Sequence, residues 1–366
     1  MKHIVMIVND TTFAYNLRRE ILQRFLAEGY RVTLIGEVIL YADEFAAMGC
    51  RVIDVHTGRH GTSVLQDVKL FFAYLDILRR EKPDLVLTNN IKPNVYAGMV
   101  CRILGIRYIP NITGLGTAVE FPGKLQKLTT FLYKIGVAGA SAVLFQNAEN
   151  QQFFKERKML GKNTKEILLP GSGVNLQSHP VLPYPQGDEL HFLFVARVMR
   201  EKGIDLYLAA AQKIRKEYPN AYFHVCGGCD DARYVQILQD AQAEGTVIYH
   251  GHQKDMIPFL QQSCCLVHPS YYPEGMSNVL LEAAASGRPL IATDRSGCRE
   301  TVDAGVSGYV IPIQDEDALV AALKDFLSLS WEERRNMGLA GRRKIEREYD
   351  RQIVVQMYLN EINNIF

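Results

Sequence analysis

Several features that would narrow the function at once are scarce in this chain of 366 residues. It has no excess of charge of one sign. Lys and Arg number 41 and Asp and Glu 40, for a net +1, so the molecule as a whole is not drawn to nucleic acid. Cysteines number seven, an odd count spread from Cys50 to Cys298. That excludes a paired disulfide framework and predicts a reducing compartment. The longest stretch of low polarity runs from Ile135 to Phe145, 11 residues, where a spanning helix needs about 20. The apolar start, Ile4 to Val8, is too short for a signal peptide and leads into Asp10, Thr11 and Thr12. A soluble or peripheral cytoplasmic protein is expected. Low-complexity segments and short repeats are also missing. With 48% hydrophobic and 22% charged residues the composition is that of an ordinary globular chain, long enough for about two or three domains.

Charge is unevenly placed. Residues 1–185 carry 22 basic and 15 acidic side chains, and residues 186–366 carry 19 and 25. A basic half beside an acidic half suggests that the first meets an anionic partner. Short apolar runs at 3–9, 31–37, 51–55, 84–90, 108–113, 142–147 and 166–169 predict strands. Helix-period stretches at 16–28, 65–81, 93–104, 124–138 and 148–159 lie between them. Strands this apolar, separated by helices, predict a parallel sheet covered on both faces. Pro, Gly and Ser then concentrate over 169–187. The alternation restarts at 191–198 and continues with 221–227, 247–251, 264–268, 289–293 and 308–312.

The fold class predicted is therefore α/β, with two doubly wound Rossmann-like parallel-sheet domains in tandem. Residues 1–170 form the first and 171–349 the second, and the helix over 350–366 is expected to pack back on the first. Its expected face is Ile353, Met357 and Ile365, with Tyr358 and Ile362 beside it. Ligands of such sheets sit at the carboxyl ends of the strands, so the site is expected where the two domains face each other.

The densest signal is His268-Pro269-Ser270-Tyr271-Tyr272-Pro273-Glu274-Gly275-Met276-Ser277-Asn278-Val279-Leu280-Leu281-Glu282. An apolar strand ends at His268, a turn follows, and a helix begins near Ser277 or Asn278. The free N–H groups of such a helix start bind diphosphate without a metal. The residues expected there are Gly275, Met276, Ser277, Asn278 and Val279. Glu274 in the loop can face a sugar. Glu282, expected two turns inside the helix, can accept hydrogen bonds from ribose hydroxyls. Upstream, Arg197 and Lys202 are expected at a strand's carboxyl end beside another helix start, where two fixed cations suit a leaving diphosphate.

Together these residues, with Ser286-Gly287-Arg288-Pro289 and Gly297-Cys298-Arg299-Glu300, resemble the retaining glycosyltransferases of family 4, which have the GT-B fold. In the first half, Arg59-His60-Gly61-Thr62-Ser63 with Asp67, Lys92-Pro93-Asn94-Val95-Tyr96 and Thr113-Gly114-Leu115-Gly116 are similar to bacterial members that build surface polysaccharides and lipid-linked oligosaccharides. The resemblance implies transfer of N-acetylhexosamine (GalNAc or GlcNAc) from UDP to a polyprenyl-diphosphate-linked sugar or surface glycan. It also implies retained configuration, no metal and no cofactor beyond the nucleotide-sugar substrate. Arg197 and Lys202 would stabilise the departing diphosphate, and Glu274 would contact the donor sugar. Arg59, Lys92, Asn111, Thr113, Gly114 and Gly116 would meet the acceptor. Many members carry a glycine-rich loop after the first strand, but here Asn9 to Tyr15 contain no glycine, and an acceptor or entrance role is expected of them.

Other features are read more plainly. Cys226-Gly227-Gly228-Cys229 lacks a second pair and reads as a glycine turn. Asp315-Glu316-Asp317 reads as a helix cap rather than a metal motif. His250 and His252 are candidates to line the base pocket, although loop histidines usually have no such role. The helix over 124–138 carries Lys124, Lys127 and Lys134 together with Leu125, Leu128, Phe131, Leu132, Ile135 and Val137. A basic amphipathic helix of this kind suits the cytoplasmic face of a membrane, and equally a core-facing helix with solvated lysines. Nucleotide-sugar 2-epimerases and a binding module without turnover are the competing classes. A Rossmann dehydrogenase is disfavoured because no G-x-G-x-x-G follows the first strand.

Overall fold

In the residues that the computed structural model describes, 1–56, 63–116, 119, 123–229 and 231–366, thirteen strands form two wholly parallel sheets. The first holds β1 (His3–Asp10), β2 (Arg31–Glu37), β3 (Arg51–Asp54), β4 (Leu85–Asn89), β5 (Arg107–Ile112), β6 (Ala142–Phe145) and β7 (Lys165–Leu168), in the order β3-β2-β1-β4-β5-β6-β7. The second holds β8 (Leu190–Val195), β9 (Ala221–Cys226), β10 (Ile248–Tyr249), β11 (Cys265–His268), β12 (Leu290–Thr293) and β13 (Gly308–Ile311), in the order β10-β9-β8-β11-β12-β13. In both, the order reverses beside the first strand, the point at which doubly wound sheets bind ligands.

The helices are α1 (Thr11–Ala27), α2 (Ala42–Ala47), α3 (Val64–Glu81), α4 (Gly98–Leu104), α5 (Lys124–Val137), α6 (Ala148–Glu156), α7 (Ile204–Glu217), α8 (Ala232–Ala243), α9 (Ile257–Gln262), α10 (Asn278–Ala285), α11 (Glu316–Ser328), α12 (Trp331–Glu348) and α13 (Arg351–Ile365). The chain divides into two compact units. One is Met1–Ser172 with Glu274–Met276 and Arg351–Phe366; the other is Gly173–Pro273 with Ser277–Asp350.

In the first unit both sheet faces are covered, which is why its inner strands read as unbroken apolar runs. One face packs Leu70, Tyr74 and Ile77 of α3, Val100 of α4, Val137 of α5 and Phe154 of α6. The other packs Ile21 and Phe25 of α1 and Phe45 of α2 with α13. The face that α13 buries is Val354, Val355, Tyr358, Leu359 and Ile362, whereas Ile353, Met357 and Ile365 lie at its margin. The expected face is thus rotated by about one residue. Tyr358 anchors it, because its hydroxyl accepts a hydrogen bond from the buried Asn111 amide at 2.6 Å. Arg18, fully buried, donates to Asn89 Oδ1 at 2.8 Å and to Ser172 Oγ at 3.0 Å.

Two local expectations are corrected. Asn9 to Tyr15 are not a loop. β1 runs to Asp10, and α1 starts at Thr11 because the Asp10 carboxylate accepts the Phe13 N–H at 2.7 Å, an N-cap worth roughly 1 kcal/mol. The helix expected over 93–104 is a π-helical turn, Pro93–Ala97, followed by α4. It meets α5 at a pair of glycines: a Cβ on Gly98 would lie 2.1 Å from Gly136 O. Asp315 caps α11, its carboxylate accepting the Ala318 N–H at 2.9 Å.

Candidate functional site

In the second unit, apolar β11 delivers His268 to the carboxyl edge of the sheet. The ring is 1% exposed, with Nε2 3.3 Å from Ser277 Oγ. Burial and the nearby Lys202 charge hold it neutral, with its pKa lowered to about 3. Ser277 occupies the N-cap of α10, yet its side chain makes no bond to the helix; its own N–H donates to Gly297 O at 2.8 Å. The first N–H groups of α10 therefore carry no side-chain cap, and the helix dipole adds about half a positive charge there. Asn278 stands at the first position with its Oδ1 buried and without a protein partner. Glu282 is the fifth residue of α10, just over one turn in rather than two, and is half-buried.

Lys202 ends a 3-10 turn, Arg200–Lys202, that leads into α7. This turn is fastened to the loop after β11. Tyr271 N–H donates to Glu201 O at 2.9 Å, and Lys202 Nζ lies 4.7 Å from the centre of the Tyr272 ring. Gly203 has φ +79°, and a Cβ on it would lie 2.1 Å from Pro269 O. Arg197 is exposed just beyond β8. Its neighbour Ala196 presents a carbonyl where a Cβ on Gly227 would come within 1.7 Å. The segment Cys226 to Cys229 is thus a turn that supports the Arg197 backbone. Burial raises the Cys226 thiol pKa to about 12, unlike that of a metal-bound thiolate. Among the described residues no group of three or more His, Cys, Asp or Glu could hold a metal ion. His250 is engaged inside the unit, bonded to His224 at 2.9 Å and packed on Phe259.

Glu274, Gly275 and Met276 cluster with the first unit. Asn147, at the carboxyl end of β6, donates from Nδ2 to Glu274 O at 3.0 Å and to Gly275 O at 2.6 Å, while its Oδ1 caps α6 through Asn150 N–H at 2.8 Å. A Cβ on Gly275 would sit 2.3 Å from Thr113 O and 2.7 Å from Gln146 Oε1. Glycine is therefore required by close approach, and the carbonyls of Glu274 and Gly275 are both held by the Asn147 amide. Sequence reasoning missed Asn147 and Gln146. The one available signal was an Asn at a strand end before a helix, which reads only as a cap.

Lys92 stands just past β4, with Nζ 3.0 Å from Asp67 Oδ1. Tyr96 Oη donates to Asp67 Oδ2 at 2.8 Å, and burial together with that carboxylate raises the tyrosine pKa. Asn111 is 1% exposed. Its backbone carbonyl accepts from Asn94 Nδ2 at 2.8 Å, so it braces the strand end behind Thr113, Gly114 and Gly116. Gly114 and Gly116 turn the following loop with φ +137° and +67°. Arg59 lies outside the described residues.

Residues 3–147 match the family described as Glycosyl transferase 4-like, and residues 183–344 match Glycosyl transferases group 1. The chain is a glycosyltransferase. It is 24% identical to the N,N'-diacetylbacillosaminyl-diphospho-undecaprenol alpha-1,3-N-acetylgalactosaminyltransferase of Campylobacter jejuni, with 94% of each chain covered. Identity is also 24% to the UDP-Gal:alpha-D-GlcNAc-diphosphoundecaprenol alpha-1,3-galactosyltransferase of Escherichia coli, over 75% of this chain and 74% of that one. Among solved structures, sucrose-phosphate synthase from Thermosynechococcus elongatus superposes with a TM-score of 0.80 at 20% identity, covering 100% of this chain and 99% of that one. Anabaena HepE in complex with UDP and glucose gives 0.79 at 15% identity, covering 100% of both chains. The glycosyltransferase has the GT-B fold, as its motifs implied. Among its described residues no helix is long and apolar enough to cross a membrane.

Proposed function

We propose that this glycosyltransferase moves an N-acetylhexosamine, GalNAc or GlcNAc, from UDP to a sugar carried on polyprenyl diphosphate or to a growing surface glycan. Configuration is retained, and neither metal nor further cofactor is needed. The observation that carries the reading is the uncapped start of α10, fastened loop to loop against the turn that holds Lys202. Backbone N–H groups of Met276 to Val279 receive the diphosphate, Glu282 the ribose, and Glu274, in its backbone clamp, the donor sugar. As the bond from the anomeric carbon to the β-phosphate oxygen breaks, negative charge grows on that phosphate, where Lys202 and Arg197 stabilise it. The acceptor hydroxyl attacks the same face and passes its proton to the leaving phosphate.

The acceptor lies along Lys92, Thr113, Gly114 and Gly116, with Asn111 bracing them from behind, and Arg59 is proposed as a further contact. Because Asp67 already neutralises Lys92, an acceptor diphosphate would share that lysine rather than find it bare. The names of the two undecaprenyl-linked relatives support this acceptor class, and from it we infer a peripheral position on the cytoplasmic face of the inner membrane. A thermal-shift panel of UDP-, GDP- and ADP-sugars tests the donor, followed by turnover of the best binder in EDTA. UDP-N-acetylhexosamines should stabilise most, and turnover should persist. Preference for another base, or activity restored only by Mg²⁺ or Mn²⁺, contradicts the reading.

A further inference from the structure

In the first unit α3, α4 and α5 lie side by side on one sheet face, α4 packed between the other two. Each follows a parallel strand, so the N-terminal turns of α3 and α5 stand at the carboxyl edge of the sheet. Both helices carry large apolar side chains on those turns, turned away from the core. On α3 these are Val64, Leu65, Val68 and Phe72, at 76%, 67%, 46% and 59% exposure. At about 100° per residue they fill one stripe roughly 100° wide, while Leu70, Tyr74, Ile77 and Leu78 of the same helix face the core. On α5 they are Leu125, Leu128 and Phe131, each more than half exposed, with Tyr133, Gly136 and Val137 facing inward. Seven of the nineteen large apolar residues exposed among the described residues thus sit on the two helices that flank α4 on one sheet face. Scattered single exposures need no explanation, but a cluster marks an interaction surface.

Charge selects the occupant. Lys69 on α3 and Lys124, Lys127 and Lys134 on α5 are all exposed, and α5 contains no acidic residue. Of the acids on the outer part of α3, Asp67 is engaged with Lys92 and Asp76 with Arg80. An apolar stripe bordered by lysines fits a surface with an apolar interior and anionic headgroups.

We propose that the outward faces of α3 and α5 form one docking surface for an anionic lipid bilayer. Lys92 and Thr113 to Gly116, at the ends of β4 and β5, lie on the same sheet edge, so docking brings the acceptor-binding loops to headgroup level. This rests on the lipid-linked acceptor proposed above. It also assigns α3 a part that its sequence alone did not suggest.

The test is co-sedimentation of the full-length enzyme with phosphatidylglycerol or phosphatidylcholine vesicles. Three variants are compared with wild type: Leu65→Gln/Val68→Gln/Phe72→Gln on α3, Leu125→Gln/Leu128→Gln/Phe131→Gln on α5, and Lys124→Glu/Lys127→Glu/Lys134→Glu. All replace exposed side chains, so an unchanged Tm serves as the folding control. Wild type should bind phosphatidylglycerol at low salt and release at high salt. Each variant should lose about tenfold or more in binding. Transfer from UDP-sugar to a short-chain soluble acceptor should be unchanged in all three. An α3 variant that sediments like wild type overturns the two-helix surface, as does a wild type that ignores anionic vesicles. Loss of self-association in the variants without vesicle binding by wild type assigns the patch to a second copy and also overturns it. Vesicle binding with no transfer to any lipid-linked acceptor leaves the surface standing and overturns the acceptor reading instead.

Discussion

Single side chains make the sharpest claims. Lys202 and Arg197 are proposed to meet charge that is largest in the transition state. Alanine at either should therefore lower kcat more than it raises the donor KM. Steady-state kinetics over donor concentration checks this; a raised KM with kcat untouched would reduce both residues to ground-state anchors. Glu282→Ala should weaken UDP binding by roughly 1–3 kcal/mol, the range for hydrogen bonds to a charged acceptor. Unchanged affinity in calorimetry contradicts its ribose role. Gly275→Ala places a methyl 2.3 Å from Thr113 O, where backbone meets backbone and neither can yield cheaply. The Glu274 loop must shift, and misplacement of about 1 Å can cost on the order of a hundredfold in rate. We expect the loss in kcat to exceed any loss in UDP affinity, since of the groups proposed to hold UDP only the Met276 N–H adjoins the shifted residue. Asn147→Ala, which removes the amide holding the same two carbonyls, should move kcat in the same direction.

At the scale of elements, β8, β9 and the residue just after β10 carry a chain of three imidazoles. His191 Nδ1 lies 2.8 Å from His224 Nε2, and His224 Nδ1 2.9 Å from His250 Nε2. Each contact needs one proton between two nitrogens. Glu189 sits 3.5 Å from His191 Nε2, so the consistent arrangement has every ring protonated at Nε2 and donating toward Glu189. Burial and the two neighbouring rings lower the His224 pKa to about 4. An unfolded histidine takes up a proton near pH 6.5. The unfolded state then binds more protons, and stability is lost as pH falls from about 6.5 to 4, by up to ~1.4 kcal/mol per pH unit. His224→Gln should flatten that part of the curve in chemical denaturation; identical slopes would mean that the chain does not titrate this way.

Strand positions were legible because buried parallel strands are short, apolar and bounded by turns, as β2 and β11 show. Helix starts were less so. α1 begins five residues earlier than its apolar period suggests, because Asp10 caps it from the end of β1. The turn at Pro93–Ala97 ends at Gly98, whose close approach to Gly136 only the packed fold reveals. The rotated face of α13 carries one buried amide-to-hydroxyl bond, Asn111 to Tyr358, that its apolar period does not announce.

Across the whole molecule, the second-unit motifs were readable because a strand end, a turn and a helix start are contiguous in sequence. Residues that act from a distance were not. Asn147 reaches Glu274 across 127 positions, and the stripe on α3 looked like ordinary helix until its outward face was seen. The basic first half is consistent with anionic acceptor and membrane partners, and no side chain alone accounts for it. Acceptor-dependent transfer with retention is tested most directly by UDP release from UDP-N-acetylhexosamine with and without a polyprenyl-diphosphate-linked sugar, followed by the anomeric configuration of the new bond. UDP release should depend on the acceptor, and the new bond should keep the donor's α configuration. Release of equal size without acceptor, conversion of the donor to its 2-epimer, or a β-linked product would contradict it.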